Sequence, residues 1–135
     1  TPEASMYASA VSSHQCVRNF LLDMQKKLAD AGNVIMDGRD IGTVIMPDAD
    51  VKIYLTASPE ARAKRRYKEL CEKGENVAFD EVLSDIISRD KNDSEREIAP
   101  AVAADDAVLF DNSAMNFDET VKEAVRLIKK TAGKK

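Results

Sequence analysis

The chain has 135 residues, of which 44% are apolar and 33% are charged, and its formal net charge is −4. A chain of this length supports one hydrophobic core, and this balance is typical of a folded domain rather than a disordered one. The acidic net charge disfavours a general nucleic-acid binder, because such proteins neutralise many phosphates with lysine and arginine. We therefore expect a single globular domain, 1–135, in which any phosphate-binding site is local.

No segment predicts insertion into a membrane or export. The longest apolar runs are short, such as residues 34–36, whereas a transmembrane helix needs about 20 apolar residues. The first residues lack the basic start and apolar stretch of a secretory signal, so the cytoplasm is the expected compartment. Cys16 and Cys71 have no second cysteine or histidine at metal-ligand spacing, and we expect both thiols to be reduced and no metal site.

The first two predicted elements are helices. Thr1-Pro2-Glu3 has the form of a helix start, with a capping hydroxyl, a proline at the first helical position and an acidic side chain in the first turn. The apolar residues of the second helix fall at the i, i+3, i+4, i+7 spacing of one helical face, and they are Val17, Phe20, Leu21, Met24 and Leu28. Gly32-Asn33 is expected to end this helix.

Strands and helices then alternate along the chain. Three short strands are predicted, at 34–36, 51–55 and 108–110. One helix, 61–73, follows the capping sequence Ser58-Pro59-Glu60, and the last amphipathic helix is marked by Val121, Val125 and Ile128. Another helix, about 79–89, has a predicted buried side formed by Phe79, Val82, Leu83, Ile86 and Ile87. The alternation predicts an α/β fold with a parallel sheet.

Two polar clusters combine arginine with aspartate, Asp37-Gly38-Arg39-Asp40 and residues 89–96. Arginine grips phosphate oxygens with two donors, and a carboxylate accepts from a ribose hydroxyl or an exocyclic amine, so these groups suit a nucleotide. A lattice of ion pairs on the surface produces the same pattern, and such pairs contribute little to stability. Spacing alone favours the lattice for 89–96. For 37–40, a nucleotide site and an ion-pair lattice remain equally open, because that cluster follows a predicted strand, and α/β proteins bind ligands at strand ends.

The helix predicted at 61–73 is strongly basic. A solvated helix face is the simplest explanation of this charge from composition. The sequence contains no Gly-x-Ser-x-Gly, His-Glu-x-x-His or dinucleotide-binding motif, so hydrolase and dehydrogenase functions have no support.

Several ungapped motifs occur in one order along the chain. They are VIMDGRDIGTV (34–44), PDA (47–49), KIYL (52–55), SPEARAKRR (58–66), EKG (72–74) and Arg89-Asp90-x-x-Asp93-x-x-Arg96-x-x-Ala99-Pro100. In this order and spacing they resemble the bacterial cytidylate kinases, over nearly the whole chain. The resemblance implies a P-loop nucleoside monophosphate kinase fold, here incomplete, with a short parallel sheet flanked by helices.

The resemblance also implies an activity, the transfer of the ATP γ-phosphoryl group to CMP or dCMP, with Mg²⁺ bridging the phosphates. Catalysis of this kind depends on positioning and charge neutralisation. CMP or dCMP is then the small-molecule partner, and ATP and Mg²⁺ are the cofactors of the complete enzyme. We expect neither cofactor to be held tightly by this chain alone.

Site residues follow from the resemblance position by position. The residues that correspond to those reading the cytosine edge are Ser9, Arg18 and Asp40, and Asp93 corresponds to the residue that holds the ribose. A carboxylate suits the exocyclic amine of cytosine, whereas an arginine suits its carbonyl and ring-nitrogen acceptors.

Two further groups are arginines. Those that correspond to the catalytic arginines around the monophosphate and the transferring group are Arg39, Arg89 and Arg96. Those on the basic helix, which resembles the mobile lid over ATP, are Arg62, Arg65 and Arg66. The resemblance thus divides the chain into a cytosine-binding part (1–57), a lid with the following helix (58–100) and a last strand and helix (101–135).

One departure from the family pattern bears on activity. The five glycines, Gly32, Gly38, Gly42, Gly74 and Gly133, form no Gly-x-x-x-x-Gly-Lys-[Ser/Thr], the loop that cradles the ATP phosphates. We therefore expect the chain alone to be inactive and its sheet to be partly uncovered, which favours self-association. A non-catalytic nucleotide-binding module is the alternative function, and a structural domain with surface ion pairs is a third.

Overall fold

A computed structural model describes residues 4, 7, 10, 11, 14–95 and 100–133. Its helices are α1 (Gln15–Asp30), α2 (Pro59–Glu72), α3 (Phe79–Ser94) and α4 (Phe117–Ala132), and its strands are β1 (Ile53–Thr56) and β2 (Val108–Asp111). A π-helical turn, Ile41–Ile45, lies between α1 and β1. The element order confirms the predicted α/β fold. The predicted helix start at residues 1–3 lies outside the described residues.

The sheet consists of β1 and β2, which run parallel in the described part of the chain, with Ile53 opposite Val108 and Thr56 opposite Asp111. Both strands therefore end at the same edge of the sheet. Phe110 of β2 is buried, whereas Leu109, on the opposite face, is 68% exposed. The short parallel sheet flanked by helices agrees with the sequence prediction.

The prediction of a strand at 34–36 was wrong. Residues 34–36 form no strand in the structure, and Ile35 is almost fully exposed. An apolar run forms a strand only where a neighbouring strand accepts and donates its backbone hydrogen bonds. Neither β1 nor β2 pairs with residues 34–36.

Helix boundaries follow local signals closely. Helix α1 ends at Asp30, and Gly32 and Asn33 have positive φ angles of 78° and 53°, the left-handed conformation that follows many helix ends. Helix α2 begins after Ser58, whose Oγ accepts a hydrogen bond of 3.1 Å from the Ala61 backbone N–H. Helix α3 continues to Ser94, so most of the polar cluster at 89–96 is helical.

A packed core cluster lies between α2 and α3. Because α2 is the helix predicted to resemble the lid and α3 is the helix after it, we use the label lid hairpin for this pair. Its centre is formed by the buried Ala63, Leu70 and Val82. The partly buried residues around that centre are Tyr67, Val77, Phe79, Leu83 and Ile86. Ile87 was predicted on the buried side but is 49% exposed, because it lies off the face of α3 that meets α2.

Helices α1 and α4 contain no buried residue. The apolar side chains that they expose include Phe20, Leu21, Met24 and Leu28 of α1 and Val121, Val125 and Ile128 of α4. Among the described residues, no helix combines the length and apolar character needed to cross a bilayer.

Candidate phosphate and base site

A cavity of about 570 Å³ lies where the two strands end and the lid hairpin begins. Its lining comes from β1 and the turn after it, from both helices of the lid hairpin, from the segments that follow α3 and β2, and from the loop that precedes the π-helical turn. The lining residues are Arg39, Tyr54, Leu55, Thr56, Ala57, Arg62, Arg65, Asp90, Lys91, Asp93, Ser94, Ala101 and Asn112. This is the edge of a parallel sheet at which α/β proteins bind ligands.

The two polar clusters of the sequence meet in this cavity. Arg39, from the first cluster, forms an ion pair through Nε with Asp93 Oδ2, from the second. Asp93 is only 7% exposed, and its backbone oxygen accepts a hydrogen bond of 2.9 Å from Ala101 N–H. Because a buried carboxylate needs a charged or hydrogen-bonding partner, this contact holds the 37–40 loop against α3.

Arg62 joins the two helices of the lid hairpin. Its Nη1 donates to Asp90 Oδ1 at 2.8 Å, its Nη2 pairs with Asp90 Oδ2, and its Nε donates to the Ala57 carbonyl oxygen at 3.0 Å. The hydrogen bonds from Arg62 lower the pKa of Asp90, and the charges of Arg39 and Arg89 lower it further. Asp90 in turn raises the pKa of Arg62. The pair is therefore fully ionised at neutral pH.

Arg65 makes a different set of contacts. Its Nη1 donates to Asn112 Oδ1 at 3.2 Å, and its Nη2 donates to the backbone oxygens of Asn112 at 2.6 Å and Met115 at 3.2 Å. Asn112 directly follows β2 and is 9% exposed. The sequence analysis did not select Asn112, because a neutral amide carries no charge signal. Its position just past a strand end was the signal that could have found it.

A second ion pair lies outside the cavity lining. Arg18 Nη2 of α1 is 2.7 Å from Asp40 Oδ2, and the two residues are 22 positions apart in sequence. Both side chains are 21% exposed. Asp40 immediately precedes the π-helical turn, where its carbonyl oxygen accepts a hydrogen bond of 2.9 Å from Val44 N–H. The fold thus places the two proposed base-reading side chains together.

Two further predicted residues that the structure describes, Arg66 and Arg89, are not among the residues that line the cavity. Arg66 is paired along α2 with Glu69 at 2.9 Å, and Arg89 is exposed on α3. Ser9 and Arg96 lie outside the described residues. No group of three or more histidine, cysteine or acidic side chains placed to hold a metal ion occurs within the described ranges.

A family model described as cytidylate kinase matches residues 1–130 of the chain. The chain belongs to the cytidylate kinase family. This membership implies the nucleoside monophosphate kinase fold, with which the parallel strands and flanking helices agree.

Curated relatives extend the same finding. The chain is 50% identical over 129 residues to a cytidylate kinase of Thermosipho melanesiensis, covering 96% of this chain and 59% of that protein. It is 47% identical over 128 residues to the cytidylate kinase of Clostridioides difficile, covering 95% of this chain and 59% of that protein. The chain therefore spans about three-fifths of the length of these cytidylate kinases.

Proposed function

We propose that this chain forms the pyrimidine monophosphate site and the lid of a cytidylate kinase. The reaction is transfer of the ATP γ-phosphoryl group to CMP or dCMP, which gives CDP or dCDP. The observation that carries the proposal is the ion pair between Arg18 and Asp40 at 2.7 Å. Both residues occupy positions that resemble the family's cytosine readers, and the curated relatives are cytidylate kinases.

The chemistry of this pair suits cytosine. An ionised carboxylate only accepts hydrogen bonds, so Asp40 matches the exocyclic amine. A guanidinium only donates, so Arg18 matches the carbonyl and ring-nitrogen acceptors. Uracil presents a carbonyl in place of the amine, which would set two acceptors against each other. A site that leaves such groups unpaired rejects the wrong base strongly. Ser9 is proposed as the third base-reading residue.

The cavity is proposed to receive the ribose and phosphates. Asp93 is the proposed ribose partner, and Arg39, Arg62 and Arg65 line the same cavity. Charge on a transferring phosphoryl group spreads over its equatorial oxygens, which are the atoms that such donors stabilise. Arg89 and Arg96 are proposed to act on the same groups, and Arg66 with the lid.

The proposal assigns protein side chains to the phosphates of ATP, whereas Mg²⁺ is expected to arrive bound to the nucleotide. The lid arginines are chemically suited to ATP phosphates, because guanidinium forks match phosphate oxygens. Magnesium retains several waters and is commonly carried by substrate phosphates with one or two carboxylates, so it would enter with the nucleotide. We infer that the 135 residues alone do not catalyse the transfer, because they contain no P-loop sequence. The expected compartment is the cytoplasm.

Calorimetric titration of the chain with CMP, UMP and AMP tests the base site. We expect CMP to bind most tightly, and Arg18→Ala and Asp40→Ala to weaken its binding at least tenfold, since each variant removes a proposed hydrogen-bond partner of the cytosine edge. Arg126→Ala is the matched control, because it removes an arginine that is paired with Glu123 on the exposed surface of α4. Equal binding of all three nucleotides would contradict the proposal.

A non-catalytic nucleotide-binding module is the second candidate, and it is favoured by the cavity and the ion pair between Arg18 and Asp40, which these residues form by themselves. Both candidates predict CMP binding, so a different experiment separates them. The coding sequence upstream of Thr1 either contains a P-loop in the same reading frame, which supports the kinase, or lacks one, which supports the binding module. A chain that is folded but binds no CMP would leave the binding module without support.

A further inference from the structure

The three arginines that line the cavity differ in their partners. Arg39 and Arg62 each form an ion pair with an aspartate, whereas Arg65 donates only to uncharged oxygens. In the part of the chain that the structure describes, no carboxylate lies within ion-pair distance of Arg65. The positive charge of Arg65 is therefore not compensated within the cavity, unlike the charges of the other two.

Asn112 is well placed to hold this guanidinium. Its backbone N–H donates to the Thr56 carbonyl oxygen at 3.0 Å, which ties it to the end of β1. Its side-chain oxygen accepts from Arg65, while its Nδ2 donates to Thr120 Oγ1 at 3.4 Å. Both ends of the amide are used, so the side chain has one favoured orientation.

The contacts also leave donors on Arg65 for a ligand. A guanidinium has five N–H groups, and the three hydrogen bonds to the segment after β2 use only Nη1 and Nη2. The Nε–H has no acceptor among the described residues. Held in this way, the side chain keeps both its charge and unused donors at the cavity.

We propose that Asn112 is a positioning residue that holds the Arg65 guanidinium in the cavity with its charge uncompensated, so that it binds the phosphate group of an incoming ligand. This inference rests on the proposed function, because it requires nucleotide phosphates to enter the cavity. A neutral amide is essential to it. A carboxylate at the same position would hold the guanidinium firmly but would neutralise it.

The first test measures the order of the Arg65 side chain without any ligand. The ¹H–¹⁵N heteronuclear NOE of the Arg65 Nε–H reports its restriction on the picosecond to nanosecond timescale. We expect a high value in the unchanged chain and a clear fall in Asn112→Ala. Asn76→Ala is the control, because Asn76 is exposed in the turn at the far end of the lid hairpin. If Asn112→Ala leaves Arg65 ordered, the positioning role is overturned.

The second test uses inorganic tripolyphosphate as the probe, titrated calorimetrically. Asn112→Ala removes one hydrogen bond to the Arg65 guanidinium, and we expect it to weaken the binding of tripolyphosphate about 5-fold. Asn112→Asp keeps the acceptor oxygen and the order of Arg65 but adds a carboxylate, and we expect binding at least about 10-fold weaker. Asn76→Asp adds the same charge away from the cavity and is expected to leave the affinity within about 2-fold.

The outcomes separate this inference from the proposed function. Tripolyphosphate that binds Asn112→Asp as tightly as the unchanged chain would overturn the role of the uncompensated charge. A folded unchanged chain that binds no tripolyphosphate would overturn the phosphate role altogether. CMP titrated into the same samples tests the base site independently, so a chain that binds CMP but not tripolyphosphate keeps the proposed function and loses this inference.

Discussion

The lid hairpin and the pair formed by α1 and α4 carry similar apolar patterns but differ in what they bury. Helices α2 and α3 enclose Ala63, Leu70 and Val82, whereas α1 and α4 bury no residue. Phe20 of α1, for example, is 69% exposed. Periodicity therefore indicates where a helix forms and which face is apolar, but burial depends on a second element that meets that face.

Helix α4 shows how a helix can be specified without tertiary burial. Asn116 Oδ1 accepts from Glu119 N–H at 3.0 Å, and Glu119 Oε2 accepts from Asn116 N–H at 2.9 Å, a reciprocal capping box. Lys129 and Lys130 lie in the last turn, where cations interact favourably with the negative end of the helix dipole. Local sequence thus supports α4, while the lid hairpin adds packing to similar local signals.

The largest predicted effect is on the core of the lid hairpin. Leu70→Ala removes a side chain that is 7% exposed, and we expect it to lower the free energy of unfolding by about 2–4 kcal/mol. Leu28→Ala is the matched control on α1 and should change it by less than about 0.5 kcal/mol, because Leu28 is exposed. Urea unfolding followed by circular dichroism measures both. Equal losses would show that α1 packs as closely as the lid hairpin.

A smaller effect is predicted for the helix caps. Asn116→Ala should lower the free energy of unfolding by about 1 kcal/mol and should act only on α4, since no residue of that helix is fully buried. Ser58→Ala, at the cap of α2, should cost a similar amount but lower the stability of the whole lid hairpin. Amide hydrogen exchange separates the two cases. Loss of protection in α2 and α3 on Asn116→Ala would contradict this difference.

The ion pair between Arg62 and Asp90 predicts a pH dependence. The pKa of Asp90 is lowered by Arg62, so the pair stabilises the folded state above the ordinary carboxyl pKa of about 4, and this stabilisation is lost as pH falls through the lowered value. Because both side chains are more than a third exposed, we expect the pair to contribute at most about 1 kcal/mol to the free energy of unfolding.

Thermal unfolding between pH 7 and pH 2 measures this contribution. Asp90→Asn should lower the melting temperature at pH 7 and make it less sensitive to acid. Glu123→Gln is the control, because its partner Arg126 lies on the same exposed helix and the pair joins no two elements. An unchanged acid dependence in Asp90→Asn would show that the pair does not stabilise the lid hairpin.

The smallest effects on stability are expected on the uncovered apolar surfaces. Val125→Glu on α4 and Leu109→Lys on the sheet replace exposed side chains and should change the free energy of unfolding by less than about 0.5 kcal/mol. They should instead reduce self-association, which remains a prediction from the exposure of these surfaces. Sedimentation velocity over a range of concentrations tests it. A monomer at every concentration would contradict self-association.

Local signals in the sequence were sufficient for the helices and for most of their ends, although α3 continues to Ser94, five residues past its predicted end. Ser58 and Gly32-Asn33 act at the predicted boundaries because capping and left-handed turns depend on neighbouring residues alone. The strand expected at 34–36 was wrong because a strand requires a partner that is distant in sequence. The prediction that Ile87 is buried was wrong for a related reason, since the width of the buried face of a helix depends on the helix packed against it.

The candidate site shows the same division between local and long-range information. The resemblance of the sequence to the cytidylate kinases predicted Arg18, Asp40, Arg39 and Asp93 as site residues. The tertiary structure alone decided that these residues form two separate ion pairs and that Asn112 holds Arg65. A motif records which chemical groups are present, but distances between groups far apart in sequence depend on how the strands and the lid hairpin pack. A neutral amide such as Asn112 becomes recognisable only when the fold brings a guanidinium to it.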